Sequence, residues 1–401
     1  MAARETPGSP GHRGMEMADK GVVALTTGEV VSGEKDAAAY VEPAPLHAFQ
    51  KHAIPRTGCL RRRWDGLSTQ GKACVACAAV LATAFLALGI TALVWYFTIY
   101  IDPPVDLPPP CEQNCTKVDH SLWADVLRKY TEKTKLAGTP LVGVRYGAIP
   151  RGPNEKLDKY VAMIGDLDFG GLASLDALAV CINAYNAWTV WLITENAGVK
   201  SINDLGEGCV NGRCFRPVWK RQFATLNRQK VSLDQIEHEI IRKRWNKPEA
   251  GFTDPARVHA AVNCASISCP DLRQEPYQEP GLDLQLDNAT KHWLSSKEKG
   301  LYAMVESNRV SLNPIMATWY PADFTRDSPD GTLRGWVARH MDQVDPATAG
   351  FLRESLPKIT AMNYDWNLNL YGAWGSESAA PCPALARAIC VVAAAAAARL
   401  L

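Results

Sequence analysis

Ala73–Ile101 runs for 29 residues, ACVACAAVLATAFLALGITALVWYFTIYI, without one charged side chain. An α-helix rises ~1.5 Å per residue, so this run crosses a hydrocarbon core of roughly 30 Å with some tilt. A buried core helix is the competing reading, and the length without a charge counts against it. A cleaved signal peptide fits poorly, because its apolar region is roughly 7–15 residues long and lies near the start. Trp95, Tyr96 and Tyr100 gather at the far end, as interfacial aromatics do. The run is predicted to be a signal-anchor transmembrane helix whose partner is the lipid bilayer.

The flanks predict an orientation. Lys51, Arg56, Arg61, Arg62, Arg63 and Lys72 precede the span against Asp65 alone, whereas Asp102, Asp106 and Glu112 follow it. Cations favour the cytosolic side, which puts residues 1–72 in the cytosol and the remainder in a lumenal or extracellular space. The two N-x-[ST] acceptors, Asn114 and Asn288, both fall on that second side, making a glycoprotein the expectation. Nine of the 12 cysteines follow residue 110, so they face an oxidising compartment.

The remaining chain divides by composition. Residues 1–72 read as a disordered cytosolic tail with a basic juxtamembrane segment. Residues 102–115 begin DPPVDLPPP, a stiff proline-rich stalk of polyproline character. Residues 116–374 read as one globular domain, and 375–401 as a low-complexity tail. Its uncharged run Ala388–Ala398 is 11 residues, too short to span a bilayer. Lys+Arg is 43 against 42 Asp+Glu, which argues against a nucleic-acid binder. A hydrophobic share of 47% with 12 Trp argues against general disorder.

Within the globular domain, apolar residues recur at helical spacing over about 120–138, 154–167, 232–245, 282–298 and 332–342. ARVHAAVN and YAMVESNRVSLN are the best strand candidates. The fold class is α+β, a mostly helical domain with a small sheet, preceded by the one transmembrane helix. Ala177–Ile193 is apolar on every face, as a core helix is. A second membrane span competes, but 17 residues is the lower limit and two Asn would be costly in lipid. Asn183 and Asn186 fall on one stripe of this helix, and each buried amide needs partners. Ser232 and Gln235 form a capping-box pattern at the head of SLDQIEHEIIRKRW. Glu237 falls inside the face made by Leu233, Ile236, Ile240 and Ile241, with Arg257 or His259 as its expected partner; a half-exposed Glu at the edge of that face is the competing reading.

Five segments then stand in one order: INAYNA (Ile182–Ala187), SLDQIEHEIIR (Ser232–Arg242), DPARVHAAVNCASISCP (Asp254–Pro270), WYPADF (Trp319–Phe324) and YDWNLN (Tyr364–Asn369). Together they resemble the family of unknown function numbered 547, over roughly residues 170–370. Ala256 is an insertion relative to that pattern, and Cys181 stands where an aromatic is usual. The resemblance implies a shared fold and brings no activity with it.

Cys264 and Cys269, with His259 upstream, suggest a thiol nucleophile and its base, with Asn183 and Asn186 as orienting or oxyanion groups. The competing reading is a Cys264–Cys269 disulfide or a structural thiol pair. If 257–263 is a strand, His259 and Asn263 share a face and Cys264 points away. Cys209 and Cys214 bracket Asn211-Gly212, a hairpin signal whose register places them within disulfide range. A four-cysteine zinc site with Cys264 and Cys269 is the rival, disfavoured by an oxidising location. Cys111 and Cys115 are candidates for a third bridge or for a link between two chains. WYPADF reads as packing and capping, with a ligand-binding rim as the alternative. No P-loop, G-x-S-x-G or H-E-x-x-H occurs, and no cofactor is implied. The expected function is a membrane-anchored binding or scaffold module with an unknown protein partner. The alternative is a cysteine-dependent hydrolase or acyl-transferase using a Cys/His pair.

Overall fold

The computed structural model describes residues 66–100, 102–207, 216–245 and 252–374. The bulk of the N-terminal tail, the expected hairpin and disulfide at Cys209 and Cys214, and the 375–401 tail lie outside the described residues. The chain divides into two compact units, Met1–Ala84 and Phe85–Leu401. One helix, α1 (Thr69–Tyr100), runs through the boundary for 32 residues, and its side chains over Ala73–Val94 are exposed. By length and composition this helix is able to cross a membrane.

The second unit is α+β, helix-rich with small sheets. Helix α2 (Ser121–Tyr130) buries Trp123, Val126, Leu127 and Tyr130, the i, i+3, i+4, i+7 stripe of an amphipathic helix. The helix expected over 120–138 stops at Tyr130. Thr131–Leu136 (β1) instead pairs antiparallel with Thr139–Val144 (β2). Ala137 (φ 47°) and Gly138 (φ 87°) make the two-residue turn, with both central residues left-handed as a tight hairpin requires. Helix α3 (Lys156–Asp166) packs on α2 and on α4 (Ser174–Glu195).

Helix α4 is the axis of the larger core. Its uncharged stretch is buried on all sides, so the second run apolar enough for a membrane is a core helix here. Two amides on this helix are satisfied by backbone. Asn183 donates to the Tyr277 carbonyl (2.7 Å) and accepts from the Tyr277 N–H (3.0 Å). Losing that amide would strand two buried backbone groups, at roughly 1–3 kcal/mol each.

A short hairpin, β3 (Ala224–Leu226) with β4 (Gln229–Val231), precedes a π-helical segment, Gln235–Ile241. The expected capping box is present: Gln235 N–H donates to Ser232 Oγ and Ser232 N–H to Gln235 Oε1, both at 3.1 Å. One strand candidate is a correction. ARVHA of ARVHAAVN lies in a 3₁₀ helix, Pro255–Ala260, in which Pro255 occupies the first turn after Asp254 at φ 54°.

The smaller core gathers α5 (Leu282–Ser295), α6 (Pro321–Arg326), α7 (Leu333–Met341) and α8 (Pro346–Glu354). They pack with a three-stranded sheet, β5 (Leu301–Met304), β6 (Arg309–Leu312) and β7 (Lys358–Ala361). The expected YAMVESNRVSLN strands are the β5–β6 hairpin, and β7 joins β6 in parallel. A second π-helical segment, Ile315–Trp319, follows this hairpin.

The proline-rich segment 102–110 is extended but is not a free spacer. Asp102 pairs with Arg216 (2.6 Å), and the Val105 N–H donates to Glu239 (3.3 Å). Gln235, Gln229 and Arg244 donate to the carbonyls of Pro103, Asp106 and Pro108. Cys111 and Cys115, directly after that segment, are disulfide-bonded within the chain, Cα–Cα 5.6 Å.

His120 caps this part of the core, its Nδ1 2.8 Å from the Tyr160 hydroxyl. Burial outweighs the nearby Asp119 and Asp176 charges and pushes its pKa from 6.5 down to about 4. Between those values the unfolded chain binds a proton that the folded chain refuses. Stability is therefore expected to fall as pH drops from about 6.5 to about 4, by on the order of 3 kcal/mol, and then level off for this group. Urea unfolding of wild type and His120→Asn, followed by tryptophan fluorescence across that window, checks this. The variant should show the shallower pH slope.

Candidate active site

A cavity of about 370 Å³ opens where the two cores meet, lined from one side by Leu233 and Val262 and from the other by Ile315 and Tyr320. Both π-helical segments border it. One supplies Glu237 and His238, the other Ile315 and Trp319. A π turn widens the helix and redirects side chains that an α turn would place elsewhere, which is why such turns recur at functional sites. Trp219, Trp366 and Trp319 stack in series, centroids 5.9 and 5.6 Å apart, with Tyr364 tilted against the last two.

The floor is the loop 261–270. Asn186 holds it to α4, donating to the Ala261 carbonyl (2.9 Å) and accepting from the Asn263 N–H (2.8 Å). Asn263 then closes the loop on itself, accepting from the Ala265 N–H and donating to the Pro270 carbonyl. Ala265 adopts φ 64°, a left-handed conformation that a residue with a Cβ takes only when its surroundings impose it. The C-terminal segment seals the loop from the other side. Ile267 N–H donates to the Asn367 carbonyl, Asn369 N–H to Ala265, and Ser266 bridges to Leu368.

Cys264 and Cys269 both line the cavity, Cys264 half-buried and Cys269 the more enclosed, 3% exposed. Both are free thiols with sulfurs 2.9 Å apart. The Ser266 and Tyr364 hydroxyls each lie 3.3 Å from Cys264 Sγ. In the thiol pair Cys264 donates to the Cys269 sulfur; once Cys264 is ionised the Cys269 thiol donates back, and this bond with the two hydroxyls outweighs burial, so the Cys264 thiol is more acidic than an ordinary one. Burial and the adjacent Cys264 sulfur push Cys269 the other way.

His259 comes to the same cavity because the 3₁₀ turn, unlike a strand, directs it there. Its ring stacks on Tyr320 at 4.6 Å and Nε2 lies 2.8 Å from Asp323. Burial would raise Asp323, but hydrogen bonds from His259 and from Arg242 (2.7 Å) hold it well below the usual carboxylate range. An ionised Asp323 makes Nε2 the protonated nitrogen of neutral His259. Nδ1 then faces Glu237, 3.9 Å away. Burial lowers the His259 pKa and raises that of Glu237, whose carboxyl also hydrogen-bonds Tyr185. His259 thus shares a hydrogen bond with Asp323 on one side and faces Glu237, beyond hydrogen-bond distance, on the other.

Sequence-predicted residues separate into three sets. Cys264, Cys269, His259 and Glu237 meet at the cavity. Asn183 and Asn186 hold backbone beneath it. Arg257 belongs elsewhere, donating to the Thr253, Asp254 and Asp283 carbonyls and to the Asp283 carboxylate. Asp323, Arg242, Tyr185 and Ser266 were not singled out beforehand. A buried histidine needs a partner, and the acid in WYPADF was the available clue. Among the described residues, no group of three or more His, Cys, Asp or Glu is placed to hold a metal ion. Asn114 and Asn288 are both exposed.

Residues 170–294 match the sequence model of a family described as protein of unknown function, DUF547. The match takes in α4, the first π segment and the cysteine loop. WYPADF and YDWNLN, which build the opposite wall, lie beyond it. No curated protein and no solved structure matches the chain.

The donors around Cys264 make its alkylation diagnostic. Iodoacetamide reacts with the thiolate, so labelling of Cys264, read by peptide mass mapping, should reach half-maximal rate at a pH below the ordinary ~8.5. Tyr364→Phe and Ser266→Ala each remove a donor and should move that midpoint upward. An unmoved midpoint in both variants contradicts the assigned hydrogen bonds.

Proposed function

We propose that this cavity performs cysteine-dependent acyl transfer, as a hydrolase or acyl-transferase, with Cys264 as nucleophile. The observation that carries the reading is the setting of its sulfur. It lines a cavity, with the Ser266 and Tyr364 hydroxyls at 3.3 Å and the Cys269 thiol at 2.9 Å around it, and Glu237 and His259 line the same cavity. A thiolate so stabilised attacks an acyl carbonyl and forms a tetrahedral oxyanion. The Tyr364 and Ser266 hydroxyls are the donors nearest to that developing charge. Protonated Glu237, backed by His259 and Asp323, gives its proton to the leaving group as the carbonyl re-forms. The acyl group then rests on Cys264 as a thioester. The Glu237 carboxylate takes a proton from water or an acceptor hydroxyl or amine, which attacks the thioester and restores the thiol.

The cavity wall supports an apolar or aromatic acyl group. Four aliphatic side chains and the tryptophan series face it, and among the described residues no lysine or arginine lines it to pair with a free carboxylate. The same wall supports a second reading, a non-catalytic binding module, in which the stacked tryptophans hold a planar or apolar ligand. The two separate at Cys264, which only the first reading needs.

We also propose that α1 anchors the chain with residues 1–72 in the cytosol and the folded unit lumenal or extracellular. The basic flank, both exposed acceptor asparagines and the Cys111–Cys115 disulfide support this orientation.

Incubation with aryl esters and acyl thioesters should leave an acyl group on Cys264, detectable by peptide mass. Cys264→Ala should abolish transfer, and Glu237→Gln should slow turnover by roughly 10²–10⁴-fold. Unchanged ligand binding with no acyl adduct on any donor favours the binding module. For orientation, glycosidase should shift gel mobility, and sealed cytosol-side-out vesicles should protect the folded unit from protease. Digestion of that unit in intact vesicles refutes the orientation.

A further inference from the structure

The second sulfur of the pair has no part in acyl transfer beyond donating a hydrogen bond, yet it is placed for a reaction of its own. We propose that Cys264 and Cys269 form a thiol–disulfide exchange pair, Cys264 attacking and Cys269 resolving, whose oxidised form closes the site to acyl transfer. The inference rests on Cys264 being the reactive sulfur assigned above.

Three features of the loop carry it. The sulfurs stand 2.9 Å apart, so a bond of ~2.05 Å needs less than about 1 Å of closure, within reach of side-chain rotation. The loop that holds them is fixed at both ends, through Asn186 and Asn263 and by the pairing with residues 367–369. The pair is also asymmetric. Both residues line the cavity, but Cys264 is the more exposed and Cys269 is buried, with the Cys264 N–H donating to its sulfur at 3.0 Å. An outside disulfide therefore meets Cys264 first.

The exchange balances with a small-molecule disulfide as oxidant. The Cys264 thiolate attacks one sulfur of RS–SR, the S–S bond breaks, and RS⁻ leaves, so that Cys264 carries S–SR. Neutralising Cys264 removes the charge that opposed ionisation of Cys269. Cys269 then loses its proton to the departed thiolate and attacks Cys264 Sγ. The second RS⁻ leaves and takes a proton from solvent, replacing the proton that Cys264 gave up in forming its thiolate. In sum, two protein thiols become one disulfide and RS–SR becomes two RSH. A small dithiol reverses the sequence. The remaining exposed free thiols among the described residues, Cys74 and Cys77, lie on α1 and have no such partner at the cavity.

The test uses the full-length chain in detergent with glutathione disulfide as the probe and no acyl substrate. In wild type, non-reducing peptide mapping should recover Cys264 linked to Cys269, iodoacetamide labelling of Cys264 should fall at least tenfold, and dithiothreitol should restore it. In Cys269→Ser the resolving step is lost, so a glutathione adduct should accumulate on Cys264. Two alkylatable thiols in wild type after treatment, or glutathione found on Cys269 instead of Cys264, would overturn the proposal. A disulfide that forms in a chain unable to take an acyl group supports the exchange pair and sinks the acyl-transfer reading alone.

Discussion

One side-chain amide ties the core to the chemistry. Asn186 sits on a helix that is apolar in every direction, where an unsatisfied carboxamide would be costly. Both its polar atoms are spent on the backbone of residues 261–263, which fixes the start of the cysteine loop. Everything the cavity does with sulfur depends on that contact. The left-handed Ala265, the facing sulfurs and the bridge to Leu368 all lie within a few residues of it. Asn183, one turn away, does the same for Tyr277. A pair of asparagines on one stripe thus registers two separate loops against one rigid element.

The set of Glu237, His259 and Asp323 is built on a different principle. Its members come from the first π segment, the 3₁₀ turn and α6, and no two are near in sequence. His259 and Asp323 are 64 positions apart. Arg242 holds the far side of Asp323 and also lies over the Tyr320 ring at 4.6 Å. The charge at Asp323 is therefore shared between a permanent cation and a neutral imidazole. That leaves the proton on His259 directed towards Asp323 and its lone pair towards Glu237.

What the sequence disclosed was mostly local. The capping box at Ser232 and Gln235, the all-apolar α4 and the β5–β6 hairpin each depend on neighbours a few positions away, so periodicity and end signals suffice to find them. Periodicity failed where a single residue overrides a pattern. Pro255 turned an apparent strand into a 3₁₀ helix, and the Ala137-Gly138 turn converted the end of an apparent helix into a hairpin. The π segments were invisible for another reason. They share the residue pattern of an α-helix, and only the packing across the cavity distinguishes them. Of the site, the cysteines, His259 and Glu237 were legible as chemically unusual residues. Asp323, Arg242 and Tyr364 were not, because nothing in a linear chain says which distant segment will fold against which.

The distance along the chain between Cys264 and Tyr364, 100 positions, has a consequence in time. At a synthesis rate of roughly 5–20 residues per second, the hydroxyl reaches the sulfur about 5–20 s after the cysteine itself is made. Until the segment of residues 364–369 arrives, the loop lacks one of its two supports and the sulfur lacks one of its hydroxyl neighbours. The nascent chain therefore carries a thiol of more ordinary acidity, and the heightened reactivity of Cys264 switches on only when the fold closes around it.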